Sequence, residues 1–457
     1  HKEARRGKIF PFPSPKKEGL QGTLPLFFFF LNMKAMVRNN ICLNAHPQGC
    51  KKAVLDQIDY TKARAESRKN GTLSGLDERD NNGVAAPKNV LVLGCSNGYG
   101  LASRITATFG YGASTIGVSF EKAGTEKKWG TPGWYNNLAF DEAAAKEGIK
   151  SITIDGDAFS NEIKAEVVKA AKESNMIFDL VVYSLASPVR TDPATGIMHK
   201  SVIKPFGKPF VGKTIDPFTK EIKEISADPA TEEEKEATIK VMGGEDWQLW
   251  IEKLESEGLL AKGAITVAYS YIGPEVSKAI YRSGTIGKAK EHLEATAKSL
   301  NDLMSKVDGN AYVSVNKGLV TRASAVIPII PFYLTSLYKV MKADGSHEGC
   351  IEQINRLFDS RLYGIPCGKA ETLAQELGCK VDSRNITVDS ENRIRIDDRE
   401  LSKAVQEKVD EIMPKITVEN MEEISDLEGY KHDFLATSGF DIEGVDYEEE
   451  ITSFDRI

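Results

Sequence analysis

The chain has 457 residues, is 41% hydrophobic and carries a formal net charge of −7. That length and apolar content support the large core of an enlarged α/β enzyme. The acidic balance excludes a global basic field for nucleic acid or membrane, and the local basic stretches are interleaved with acids.

Residues 1–35 open on His1 and place Lys2, Arg5, Arg6, Lys16 and Lys17 ahead of LPLFFFFL. A basic region before an apolar core is the layout of a signal peptide. No small-residue cleavage site follows, however, and the run is too short to span a bilayer. The segment reads as a non-native or untranslated leader ahead of Met33 or Met36, with an organelle-targeting peptide as the alternative. Without such targeting the protein is expected in the cytoplasm, with no membrane segment. Six cysteines, Cys42, Cys50, Cys95, Cys350, Cys367 and Cys379, are scattered, and none forms C-x-x-C. They read as free thiols, and no metal site is expected.

Past Met36, residues 37–49 form a loop-like lead-in and 51–68 have helical composition. Residues 69–86 (KNGTLSGLDERDNNGVAA) are polar and read as a mobile insertion. Then comes NVLVLGCSNGYG, residues 89–100. Its apolar run ends in Gly94, Gly98 and Gly100, and a helical pattern follows at once. A strand feeding a Gly-rich turn and a helix N-terminus is a site for a dinucleotide pyrophosphate. Glycine permits the tight turn and a close backbone, and the free N–H groups favour negative charge. Tight turns use glycine everywhere, so the flanking strand and helix carry this reading.

Strands and helices alternate from there. Residues 115–120, 151–155 and 178–184 read as strands, and 140–147 and 161–173 as helices. Near-continuous β-branched runs between helices predict a doubly wound parallel sheet, of Rossmann type, covered on both faces. Residues 187–245 interrupt the rhythm with Pro, Gly, Lys and Thr and predict a β-hairpin excursion. Its place after the fourth strand puts it on the substrate side of the sheet's carboxyl edge. Strands resume at 264–269 and 311–315, with a helix from about Gly284 between them. Residues 331–341 are helical, and the remainder mixes helices with acidic loops.

Strand ends carry the candidate chemistry. Phe120 and Glu121 close the second strand; an acid there accepts ribose hydroxyls and repels a 2′-phosphate, though Lys122 beside it weakens that preference. Asp157 and Ala158 follow the third strand, where a turn can meet an adenine edge or stand as a plain Asx turn. Leu185 and Ala186 follow the fourth, where small residues let a cofactor lie close. Beyond the strand at 264–269, Tyr269, Tyr271 and Tyr281 precede Lys288 and Lys290. A phenol can donate to a developing oxyanion, and a nearby ammonium lowers its pKa and can hold a ribose. Tyr281 and Lys290 would face opposite sides of one continuous helix, so a break at Gly284 or Gly287 is required for them to converge. Taken separately, they read as a surface Tyr and a surface Lys. Tyr338 and Lys342 have a Tyr-x3-Lys spacing but come too late in the order and read as a helix surface pair. Leu319, Val320 and Thr321 follow the strand at 311–315, where backbone groups can meet a nicotinamide amide. AVIPIIPF, residues 325–332, is either an acyl-pocket wall or plain core.

The strings GCSNGYGLASRI, GTPGWYNN, YSLASPVR, AYSYIGPE, YRSGTIGKAKEHLE, VNKGLVTRASAVIP and GYKHDFL closely resemble the trans-2-enoyl-CoA reductase family, also described as monomeric enoyl-acyl-carrier-protein reductases. The likeness runs from about Met36 to Ile457 as a single domain. It implies an enlarged short-chain dehydrogenase-type core with extra helices. It also implies NADH as cofactor, enoyl-CoA or enoyl-acyl-carrier-protein as substrate, a monomer, and a role in fatty acid synthesis. By residue matching, Tyr281 is the proton donor, Lys290 its partner and Tyr271 a substrate contact. Cofactor contacts fall on Gly94, Cys95, Ser96, Asn97, Gly98, Tyr99, Phe120, Glu121, Asp157, Ala158, Leu185, Ala186, Lys290, Leu319, Val320 and Thr321. Another short-chain-type alcohol dehydrogenase and a non-catalytic nucleotide-sensing protein are the alternatives.

Overall fold

The computed structural model describes residues 33–38, 41–72, 86–325, 327, 329–363 and 378–457. The leader up to residue 32, residues 73–85 of the polar insertion, Cys367, and residues 326 and 328 of the apolar run lie outside the described residues.

A seven-stranded sheet organises the chain. Its strands are β1 (Asn89–Leu93), β2 (Ser114–Ser119), β3 (Ser151–Asp155), β4 (Phe178–Tyr183), β5 (Leu260–Ser270), β6 (Asn310–Val315) and β7 (Arg393–Arg395). They lie in the order β7-β6-β5-β4-β1-β2-β3, every pair parallel. The helices used below are α1 (Pro47–Lys69), α2 (Gly98–Ile105), α3 (Pro132–Lys146), α4 (Asn161–Glu173), α5 (Glu232–Met242), α6 (Glu245–Ser256), α7 (Thr285–Met304), α8 (Ile330–Ala343), α9 (Cys350–Leu357), α10 (Lys403–Ile412) and α11 (Leu427–Ala436).

The strands are apolar at nearly every position because both faces are covered. Alternate residues point to opposite sides. Val90, Val92, Leu180, Val182, Ile265 and Val267 pack with Leu101 and Ile105 of α2, Phe140 of α3 and Leu357 of α9. Leu91, Leu93, Val181, Tyr183 and Ala268 pack with Val167 of α4, Trp247 and Trp250 of α6 and Leu293 of α7. Each such buried aliphatic or aromatic side chain contributes about 1.5–3 kcal/mol. The order in which strands are added reverses between β1 and β4, and the carboxyl ends of those two strands are the usual ligand position in this topology.

Four features differ from the sequence reading. The strand at 311–315 is not the last: β7 pairs with β6 through Val313, Ser314 and Val315. Its Arg-Ile-Arg run is short and charged, as an edge strand is, which hides it from a hydrophobicity pattern. Helix α3 starts at Pro132, not near Phe140, because proline suits the first helical position even beside Gly133. The excursion after β4 is more than one hairpin. It holds the pairs Val189–Thr191 with Met198–Lys200 and Phe210–Asp216 with Glu221–Ala227, then α5, which opens on a capping box of Thr231 and Glu234. Finally, Met33 is buried, and Asn44 binds the Lys34 carbonyl and the Met36 N–H, each at 2.8 Å. Packing onto the body therefore begins before Met36.

The excursion is tied to the start of α7. Thr285 N–H donates to the Lys204 carbonyl at 3.0 Å, and the Thr285 hydroxyl to the Val202 carbonyl at 2.6 Å. This seam holds it over the carboxyl edge of β5.

Candidate active site

The Gly-rich turn has the backbone that its sequence demands. Gly94 has φ +87°, and a Cβ there would strike the Ser184 carbonyl at the end of β4. A Cβ on Gly100 would strike the Gly94 carbonyl, so the turn closes only with glycine at both ends. No side chain caps the N-terminus of α2, which leaves its first N–H groups for an anion. The Cys95 side chain instead points into the core, with its Sγ 3.8 Å from an Arg104 guanidinium nitrogen, so only its backbone can line the turn. Asn136 of α3 donates to the Ser96 carbonyl at 2.9 Å and holds the turn from behind. Tyr99 turns toward the neighbouring loop, where its hydroxyl donates to the Lys317 carbonyl at 2.6 Å.

Glu121 stands beside the turn. Its Oε1 accepts from the Ser96 hydroxyl at 2.6 Å and the Asn97 amide at 3.0 Å, while Oε2 has no partner among the described residues. One carboxylate oxygen is thus fixed and the other is open to a hydrogen-bond donor. Phe120 next to it is 77% exposed, an aromatic face open to a flat base. Asp157 does form an Asx turn, accepting from Phe159 N–H at 3.0 Å. The Ala158 carbonyl is taken by Lys164 at 3.1 Å and Trp250 at 3.0 Å, which pins this turn to the core. Leu185 lies against the Gly94 position, and Ala186 is exposed at the crevice.

On the other flank, Thr321 Cγ2 lies 3.6 Å from where a Cβ would stand on Gly98. Residues 316–321 are held from beneath. Gln353 accepts from Lys317 N–H at 2.7 Å, Tyr338 accepts from Val320 N–H at 3.1 Å, and Ser324 donates to the Leu319 carbonyl at 2.5 Å. Among the described residues, the Leu319 N–H and the Val320 carbonyl keep no partner. A donor and an acceptor this close are what a carboxamide requires.

The break before α7 is present. Gly284 caps the helix, and Tyr281 lies on the turn ahead of it. Tyr281's carbonyl accepts from Gly287 N–H at 3.0 Å, which sets the tyrosine beside the first turn of α7. Lys290 lies three residues after Gly287 on α7. Tyr281 is 6% exposed, its hydroxyl retains accessible surface, and that hydroxyl has no hydrogen-bond partner among the described residues. Burial raises its pKa, so the phenol keeps its proton. Lys290 is half-buried, with no hydrogen-bond or salt-bridge partner among the described residues. Burial pushes its ammonium down to about 8 against the pull of Glu294. Lys288, by contrast, is exposed and paired with Glu291 at 2.7 Å. Tyr269 is also spent, with its oxygen 2.6 Å from Ser103 Oγ under α2. Tyr271 packs edge to face on Tyr281, with centroids 5.3 Å apart.

The Tyr338–Lys342 pair is not a surface pair. Tyr338 is 0% exposed and supports Val320, and only Lys342 reaches outward, to Asp426 at 2.6 Å. Apolar neighbours in α8 bury this tyrosine, which the Tyr-x3-Lys spacing alone does not reveal. The sequence reading missed Glu400, which accepts from Tyr271; its acidic surroundings, IDDRELSK, read as surface. Of 325–332, Ile329 packs with Phe210 and Ile280, next to Tyr281.

A Rossmann-type parallel sheet with a glycine turn, an acid beside that turn, and an unpartnered tyrosine and lysine on the segment after β5 is the layout of a nucleotide-dependent oxidoreductase. Residues 32–126 match the NAD(P)H binding domain of trans-2-enoyl-CoA reductase, and 128–363 match the trans-2-enoyl-CoA reductase catalytic region. The chain is 65% identical over 425 residues to the trans-2-enoyl-CoA reductase [NADH] of Treponema denticola, covering 93% of this chain and 100% of that one. It is 50% identical over 414 residues to an enoyl-[acyl-carrier-protein] reductase [NADH] of Flavobacterium johnsoniae, covering 91% and 96%. The crystal structure of the Treponema denticola enzyme in complex with NAD superposes with a TM-score of 0.84, covering 93% of this chain and 99% of that one. The chain belongs to the trans-2-enoyl-CoA reductase family.

Residues 388–451 match an enoyl reductase FAD binding domain. The residues there do not fit a flavin. Val405, Val409, Met413, Leu427 and Phe434 are packed against α8, and Arg393 and Arg395 are paired with Asp389 and Asp397. No chemistry is assigned to flavin.

Proposed function

We infer that this chain reduces trans-2-enoyl thioesters to saturated acyl thioesters with NADH. One observation carries the reading: in a member of this family, the Tyr281 hydroxyl is open and unpartnered beside the helix that carries Lys290. When bound, NADH would supply the hydride to the substrate's β-carbon. Tyr281 stabilises the negative charge on the thioester oxygen by donating a hydrogen bond, and a proton that comes in the end from solvent goes to the α-carbon to give the saturated thioester. Lys290 holds the nicotinamide ribose and keeps positive charge near that oxygen. Glu121 Oε2 takes an adenosine ribose hydroxyl, the α2 N-terminus faces the pyrophosphate, and Leu319 N–H with the Val320 carbonyl orients the carboxamide. Ile329, Phe210 and Ile280 form an apolar wall for the acyl chain.

Delivery on CoA is favoured over delivery on acyl-carrier protein, since the likeness is 65% to the Treponema CoA enzyme and 50% to the Flavobacterium carrier-protein enzyme. A role in fatty acid synthesis, as a monomer, goes with this reading. The test is oxidation of NADH and NADPH with short- and long-chain trans-2-enoyl-CoA. Turnover of a hydroxyl substrate with NAD, and none of any enoyl thioester, would move the chain to alcohol dehydrogenase chemistry.

A further inference from the structure

The C-terminal segment sends one buried acid beneath the site. Glu400 is 0% exposed. Its Oε1 accepts from the Tyr271 hydroxyl at 3.0 Å and the Tyr333 hydroxyl at 2.8 Å, and its Oε2 from Gly318 N–H at 2.6 Å. Gln406 donates to the Tyr333 oxygen at 3.1 Å, so Tyr333's own proton points at the carboxylate. Burial raises the pKa of Glu400, while Lys317, the Gly318 N–H and the Tyr333 hydroxyl pull it back, and the ionised carboxylate is the form that accepts from Tyr271, Tyr333 and Gly318 at once. Lys317, buried with its ammonium on the Gly318 carbonyl at 3.0 Å, supplies compensating charge.

We propose that Glu400 is a positioning residue for the reduction: by taking the Tyr271 proton and the Gly318 N–H together, it sets the ring that flanks Tyr281 and the loop carrying Leu319, Val320 and Thr321 as one unit. Tyr271 has a single proton, and Glu400 holds it. Tyr271 therefore meets substrate as an acceptor or an aromatic edge, and the proton free for the thioester oxygen is that of Tyr281. The junction is tight, since a Cβ on Gly318 would stand 2.9 Å from the Tyr271 oxygen and 3.3 Å from Glu400 Oε1. Glu400 acts through these two residues.

This inference rests on the enoyl-thioester reductase reading, so the unmutated chain is assayed first. No turnover of trans-2-enoyl-CoA there overturns that reading and this proposal with it. Given turnover, Glu400→Gln keeps the volume but puts an amide donor against one set of donors. Its kcat is expected to fall on the order of tenfold to a hundredfold, the worth of a hydrogen bond to a charged group. The decisive readout is a double-mutant cycle with Tyr271→Phe. With the tyrosine's hydroxyl gone, Glu400→Gln is expected to cost clearly less than it does alone, because one of its two routes to the site is cut and only the Gly318 route remains. A Glu400→Gln kcat within twofold of the unmutated chain overturns the proposal. So do losses that multiply in full in the double variant, since a purely structural acid would give them. If Glu400→Gln fails to bind NADH, Gly318→Ala replaces it in the same cycle, because its methyl group wedges the same junction. Multiplying losses overturn the proposal there as well.

Discussion

Tyr271 and Tyr281 meet edge to face at 5.3 Å between ring centroids, yet only Tyr271 has its hydroxyl committed, to Glu400 at 3.0 Å. The two phenols share one environment and differ in one proton. Of the two, the Tyr281 hydroxyl is the one without a hydrogen-bond partner among the described residues, and the proposed reaction gives the donor's part to it.

The ammonium of Lys290 gives a pH dependence. Burial lowers its pKa from 10.5 to about 8, and the proposed reaction uses the charged form. Its charge is full well below pH 8 and is lost as pH rises through that value. The expected kcat/KM profile is flat at neutral pH and declines through about pH 8, reporting the free enzyme. In Lys290→Met the plateau drops and the limb disappears. A limb that survives in that variant assigns it to Lys317, which burial also lowers to about 8.

Cofactor choice follows from Glu121. With the adenosine ribose placed at Glu121 as proposed, a 2′-phosphate would bring like charge to its free Oε2, so NADH is expected to exceed NADPH in kcat/KM. Glu121→Ala is expected to narrow that gap. It also releases Ser96 and Asn97, which now bond Oε1 at 2.6 and 3.0 Å, so KM for NADH rises as well. Equal kcat/KM for both cofactors in the unmutated chain contradicts this assignment and points to the exposed Lys122.

The excursion after β4 carries Lys200, Lys204, Lys208 and Lys213. Lys204 is paired with Glu234 at 2.7 Å, whereas the other three are exposed and without salt-bridge partners among the described residues. Those three are free to meet CoA phosphates. Neutralising Lys200, Lys208 and Lys213 together is expected to raise KM for enoyl-CoA severalfold, more at low ionic strength, because exposed charges are screened within about 10 Å at 0.1 M salt. The Kd for NADH stays unchanged. A KM that does not move at low salt removes this segment from the CoA site.

Much of this was legible in the residues. The alternating apolar runs gave the order of β1 to β6, and Gly94 and Gly100 gave the turn, because parallel strands and tight turns have local signatures. Helical geometry asked for a break at Gly284 or Gly287 if Tyr281 and Lys290 were to converge, and the helix begins after Gly284. Other features depend on partners distant in sequence. Arg393–Arg395 is a strand only because β6 lies beside it. Tyr338 is buried only because α8 is covered by α10 and α11. Glu400 finds Tyr271 across 129 residues, and no spacing rule reaches that far. The family resemblance supplied the roles of Tyr281 and Lys290, which neither spacing nor composition fixes.

The central claim is that Tyr281 donates to the thioester oxygen during NADH-dependent reduction of an enoyl thioester. The direct measurement is kcat for trans-2-enoyl-CoA reduction by the unmutated chain and by Tyr281→Phe, with the Kd for NADH measured on both. The account predicts turnover by the unmutated chain, a kcat lower by on the order of a hundredfold or more in the variant, and a Kd for NADH that barely moves. A variant that binds NADH normally and turns over at near the unmutated rate would contradict it.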